Sequence, residues 1–189
     1  MTDEPPAEAG PRGRPVTARE QLPAAHRSTY DHVEETRGGV RGPFSVLLQS
    51  PPVAERVAAL GEHLRFEGVL PAETRELAVL VTARESACPY EWAAHEPIAR
   101  DAGVSDAAVD VVLGGSPAAD LDASEALVVR LGRSLLSEHD LPAETFASAS
   151  ERFGERGVTE LVATVGYYAM LACVVNAFDV RPDEATPLD

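Results

Sequence analysis

The chain contains no lysine. All sixteen of its positive charges are arginine, so Schiff-base and other lysine-centred chemistry is closed to it. Positive charge is scarce altogether: 31 acidic residues give a net charge of −15, and no basic stripe is left to follow a nucleic-acid backbone. Two cysteines, Cys88 and Cys173, lie too far apart in sequence to suggest a disulfide framework. The first twenty residues lack the apolar core of a secretory signal, so the expected compartment is the reducing cytoplasm, where thiols stay free. There is no glycine-rich phosphate loop, no GxSxG and no HExxH, and Cys88 with His95 lacks a second ligand pair. Neither a metal nor a cofactor is expected.

Aromatic residues are also few, at 5%, and runs of alternating β-branched residues are missing. What fills the apolar quota is largely alanine, which favours closely packed helices. The reading is an all-α domain over residues 24–180, preceded by a proline-rich flexible arm at 1–23 and followed by a polar tail at 181–189. Glycine and proline divide the domain. A first helix fits 24–37, ending at Gly38 and Gly39. A short helix follows in "PFSVLLQSP", then "PVAERVAALGEHLRF". Pro71 opens "PAETRELAVLVTARES" as its first helical residue, with Glu73 in the first turn. Ser105 opens "SDAAVDVVL", and Asp122 with Glu125 has capping-box spacing. Residues 161–178 carry no charge and are long enough to cross a bilayer. Thr164, Gly166, two tyrosines and Asn176 within the stretch, and the lack of a second such span, point to a core helix and no membrane partner.

The informative segment is "ESACPYEWAAHEPIAR", residues 85–100. Pro89 suits a first helical position, which makes Cys88 the N-cap. At 100° per residue Cys88, Glu91 and His95 fall on one side, together with Trp92, Ile98 and Ala99, while Tyr90, Glu96 and Arg100 lie opposite. Three reactive groups therefore share an apolar face, where charge is rarely placed without a partner. Glu91 and His95, four apart, can pair, so that one ring nitrogen is held and the other is free for proton transfer. The helix dipole would favour a Cys88 thiolate. Pro97 is expected to bend or break the helix just beyond His95. Glu76, inside the apolar run "ELAVLVTA", is expected to have a raised pKa and to act as an acid or base near neutrality. Taken singly, each has an ordinary explanation: an inert buried thiol, a structural Glu–His pair, a salt bridge from Glu76 to an arginine. Their convergence on one face is what those explanations leave over. Cys173, inside the last helix, is expected to be a buried, inert thiol.

These residues resemble the carboxymuconolactone decarboxylase family, which includes the alkylhydroperoxidase D-like proteins. The resemblance is strongest over "RELAVLVTARESACPYEWAAHEPIARDAG" and extends over roughly residues 27–180. It implies an all-helical fold assembled as trimers or hexamers, with sites at subunit contacts. The peroxidase branch is marked by Glu, eleven residues, Cys-x-x-Cys, and a His four residues after the second Cys. Glu76, Cys88 and His95 match this pattern, and Glu91 replaces the second cysteine. A dithiol peroxidase needs that resolving thiol to convert a sulfenic acid to a disulfide. The decarboxylase branch uses proton transfer on a small lactone acid, and "YEWAAH" looks like the acid–base pair of non-dithiol members.

The first expectation is therefore an acid–base enzyme for a small carboxylated or lactone-type metabolite. In it His95 is the base or acid, Glu91 orients it, Glu76 is a second proton donor, and Cys88 lines the pocket. Arg84 and Trp92 are the expected substrate contacts. The second is a thiol peroxidase using Cys88 with an external thiol, and the third a non-catalytic oligomeric ligand-binding protein.

Overall fold

The structure is a computed structural model that describes residues 11–188, and among these every regular element is helical. Eight α-helices follow in order: α1 Arg27–Arg37, α2 Pro43–Leu47, α3 Pro51–Glu62, α4 Ala72–Glu85, α5 Pro89–Ala102, α6 Asp106–Gly114, α7 Ala123–Arg133 and α8 Ala143–Ala177. Two of them run on into π-helical turns, α3 through His63–Glu67 and α7 through Ser134–Glu138.

The nearly all-apolar run predicted to be central is central. Residues 76–83 of α4 are buried without interruption, and the helix packs on α5, α6, α7 and α8. Close approach of α7 depends on Gly132, where an added Cβ would lie 2.7 Å from Val81 Cγ1. Both neighbours sit inside helices and have little room to shift. Gly132→Ala is accordingly expected to lower stability by about 1–3 kcal/mol, read as a fall in the urea midpoint at unchanged slope.

Several caps are as the sequence suggested: Gly38 ends α1 in the left-handed region at φ 68°, and the Ser105 hydroxyl accepts from Ala108 N. Others differ. Pro71 is the N-cap residue of α4, one position before the first turn. Asp122 caps α7 through Ser124 N at 2.9 Å, but Glu125 does not close the expected box. Its carboxylate reaches across to Ser105, accepting from the backbone N at 2.9 Å and the hydroxyl at 2.8 Å, and so ties α7 to the start of α6. Pro97 does not break α5, which continues to Ala102. The ring lies on the exposed side, while the opposite face is held against α4.

Helix α8 is long and apolar enough to cross a membrane. It is interrupted at Gly154 (φ 72°, ψ 168°), and its uncharged half buries Leu161, Val165, Tyr168, Leu171 and Val175 in the molecule's own core. The described part of the expected flexible arm is tied down. Val16 and Leu22 are buried, Val16 N donates to Ser45 O at 2.7 Å, and Arg12 N donates to Phe178 O at 2.7 Å. Residues 1–10 of that arm lie outside the described residues. The tail is not wholly solvated either, since Leu188 packs on an apolar cluster.

Candidate active site

A tight turn between α4 and α5 sets the site. Ala87 adopts φ 44°, and Cys88 N donates to Ala83 O at 2.8 Å, which folds α5 back against α4. Pro89 is the first residue of α5 and Cys88 its N-cap. His95, in the second turn, then lies beside Glu76 in the first half of α4.

His95 Nδ1 is 2.7 Å from Glu76 Oε2, and the other Glu76 oxygen accepts from Arg75 Nε at 3.2 Å. Glu76 is only 2% exposed. Burial alone would push its carboxyl up, but the His95 and Arg75 contacts outweigh that and hold it below the usual carboxylate range. The raised value expected from the apolar run is thus reversed, because the sequence does not show who meets the carboxyl. Glu91 is the group that behaves that way. It is 3% exposed, burial pushes its pKa up against the opposing pull of His95 and Arg65, and its Oε1 has no hydrogen-bond partner. Its Oε2 stands 3.6 Å from His95 Nε2, beyond hydrogen-bond range. Glu76, expected as a second proton donor, is the group bonded to Nδ1, and Glu91, expected to hold the imidazole, faces the other nitrogen. The Tyr168 ring meets the imidazole edge-on at 4.9 Å between centroids.

His95 and Glu91 line a small cavity of about 120 Å³. Its other walls are Phe44, Tyr90, Tyr167 and Tyr168, with Arg37, Arg41 and Arg65 also on its lining. None of these arginines was singled out in the sequence. Arg65 sits in the π-helical turn after α3, where the wide turn changes the direction of each side chain. The one available signal for the rest was the pair of tyrosines inside an otherwise uncharged, apolar run.

The other expected contacts lie elsewhere. Cys88 is fully buried with Ala172 and Val175 under Tyr90 and Val180, and it does not line the His95 cavity. Burial pushes its thiol up to about 11, overriding the backbone contacts at the helix start that would lower it, so the expected thiolate is absent near neutrality. Cys173, expected to be buried, is exposed. Brief iodoacetamide treatment of the native protein should therefore label Cys173 and spare Cys88, with both labelled after unfolding. Mass spectrometry of the peptides checks this, and early labelling of Cys88 would contradict the burial. Arg84 donates from Nε to Leu113 O at 2.9 Å and so ties α4 to the end of α6. Trp92 is buried and faces a separate cleft formed with α6 and residues 182–187. Ile98, placed by helical spacing on the apolar face, is 41% exposed. Among the described residues no three of His, Cys, Asp and Glu form a group that could hold a metal.

Residues 51–131 match the model of the carboxymuconolactone decarboxylase family. No curated protein matches the sequence significantly. Among solved structures, an uncharacterized peroxidase-related protein with an alkylhydroperoxidase AhpD core from Ralstonia eutropha JMP134 superposes with a TM-score of 0.75 at 22% identity, covering 94% of this chain and 95% of that one. A peroxidase-related protein from Silicibacter sp. TM1040 gives 0.73 at 15% identity over 94% and 96%. The debrominase Bmp8, a cysteine-to-alanine variant in complex with 2,3,4-tribromopyrrole, gives 0.69 at 17% identity over 92% of each chain. At these identities the likeness is one of fold: the helical architecture is that of the AhpD-like proteins.

Proposed function

With residues 51–131 in the carboxymuconolactone decarboxylase family as the premise, we propose that the protein is an enzyme that moves protons on a small lactone-type or carboxylated molecule. The observation that carries this is the hydrogen bond that His95 Nδ1 donates to Glu76 at 2.7 Å, with Glu91 facing the other ring nitrogen. A carboxylate accepting from Nδ1–H leaves Nε2 with its lone pair, which suits it to take a proton from carbon next to a carbonyl. The imidazolium so formed is stabilised by Glu76, itself steadied by Arg75. Charge then develops on the carbonyl oxygen. Glu91, its pKa raised by burial and its Oε1 unpartnered, is the group placed to give a proton there. The proton taken by His95 and the one given by Glu91 balance the step.

The test is hydrogen–deuterium exchange at carbon in D2O, followed by NMR over a panel of small lactones and carboxylic acids, alongside peroxide consumption with a dithiol reductant. Exchange catalysed by wild type and Cys88→Ser but not His95→Gln is the expected result. Peroxide consumption that disappears in Cys88→Ser would overturn the reading in favour of a single-cysteine peroxidase. Assembly as a trimer or hexamer is part of the proposal. It is supported by Val53, Leu60, Phe66 and Val69, which are exposed apolar residues of α3 and the turn after it. Light scattering reads the oligomeric state.

A further inference from the structure

We infer that the hydroxyl of Tyr168 is a hydrogen-bond donor to the molecule held beside His95, placed to steady negative charge on its oxygen without giving up a proton. The charge it meets rests on the proton-transfer reading; the placement of the hydroxyl does not.

Tyr168 comes from the uncharged half of α8, is 3% exposed, and lines the cavity together with His95 and Glu91. A buried phenol ordinarily finds a hydrogen-bond partner. The other buried tyrosines have one: Tyr30 donates to Thr17 O at 3.3 Å, and the Tyr167 hydroxyl has the Arg37 guanidinium beside it. Among the described residues Tyr168 has no such bond. Nor is its oxygen sealed in without a partner, as Glu91 Oε1 and Ser150 Oγ are. The hydroxyl therefore keeps contact with open space, and the space that this buried ring borders is the cavity.

The surroundings of the ring fix both its direction and its protonation. It meets the imidazole edge-on at 4.9 Å between centroids, and the Tyr167 ring in the same way at 5.2 Å. Held between two near-perpendicular rings, the phenol has little freedom to turn. A donor that is already aimed needs no reorganisation when charge appears in front of it. Burial pushes the Tyr168 pKa well above its ordinary value; Glu76, Glu91 and Tyr167 add to the rise, and Arg65 opposes it. The phenol thus stays protonated through the neutral range and serves as a donor, not as a base.

Three groups then divide the work. His95 Nε2 takes a proton from carbon, Glu91 is placed to give one, and Tyr168 holds the oxygen on which charge develops. The O–H bond of Tyr168 stays unbroken, so the proton count of the step does not change. Among buried side chains such a bond counts for more than it would in water.

The test uses Tyr168→Phe, which keeps the ring and both edge contacts and removes the oxygen. Its urea midpoint is expected to match wild type, because the hydroxyl has no partner in the folded chain to lose. Binding of the nitronate of nitroethane, an enolate-shaped anion, is compared by calorimetry with binding of neutral nitroethane. Wild type is expected to favour the nitronate. Tyr168→Phe is expected to bind it about tenfold more weakly or worse, with nitroethane unchanged. Turnover in exchange at carbon should fall by about 10²–10³-fold, the usual loss for one donor to a developing oxyanion, with KM little changed. Equal nitronate affinity in the two proteins, no preference for the nitronate in wild type, or a clearly lowered urea midpoint in the variant would overturn the inference. Full exchange in Tyr168→Phe but none in His95→Gln would remove Tyr168 from the reaction and leave the proton-transfer reading standing. A nitronate loss in Tyr168→Phe, with no exchange by wild type on any lactone or acid, would overturn that reading and leave the hydroxyl as an anion donor.

Discussion

Replacing His95 with glutamine is expected to lower the turnover number of the exchange reaction by about 10²–10⁴-fold, the usual contribution of one positioned acid–base group, with little change in KM. The reasoning is geometric. A glutamine amide can still donate to Glu76 Oε2 and fill much of the space against Tyr168, so the pocket keeps its shape while Nε2 is lost. Glu76→Gln should fall in the same direction, because an amide in place of the carboxylate no longer favours the Nδ1–H tautomer or stabilises the imidazolium. Its pH profile should change as well as its rate, which a purely structural role would not produce. Turnover in His95→Gln within a factor of two of wild type would remove His95 from the mechanism.

The largest stability effect is expected from Glu76→Ala, at about 3–5 kcal/mol, the cost of stranding the partners of a buried charge. Arg75 and His95 would both lose their carboxylate, in a site where Glu76 is 2% exposed. Glu76→Gln keeps the volume and one of the two acceptor oxygens and should cost less. The two buried glutamates also give opposite pH dependences. Glu76 has a folded pKa below its unfolded one, so its contribution is present above the unfolded value and is lost as pH falls through the folded one. Glu91 has a folded pKa above its unfolded one, so its contribution is greatest in acid and is lost as pH rises through the folded value. Urea midpoints across pH should therefore fall on both sides of a maximum. Glu91→Gln should flatten the alkaline side and Glu76→Gln the acid side. An alkaline side that is equally steep in Glu91→Gln and wild type would show that burial does not raise the Glu91 pKa.

Much of this was legible in the chain. Gly38, Ser105, Asp122 and the repeated prolines mark helix ends because caps and breakers act over three or four residues, and such local chemistry is written in local sequence. The shared face of Cys88, Glu91 and His95 followed from helical geometry, and the burial of Glu76 from the apolar run around it. What was not legible is who meets whom. Helical spacing pairs Glu91 with His95, but the packing of α4 on α5 puts Glu76 on the imidazole at hydrogen-bond distance and leaves Glu91 at 3.6 Å with Oε1 unpartnered. The sign of the Glu76 pKa shift reversed for that reason, since burial is a property of a segment and a partner is a property of the fold. Cys88 shares the helix side of His95 yet ends in a different apolar cluster, because one turn of α5 carries it under Val180. Arg65 and Arg41 were invisible for a similar reason, as a π-helical turn and a left-handed glycine bring them to the site. The sequence by itself determined the helices, their ends and the reactive face of α5, all set within a few residues. Only the tertiary structure decided the partners of His95 and the cations beside it, because those depend on distances of a few ångströms between helices far apart in the chain.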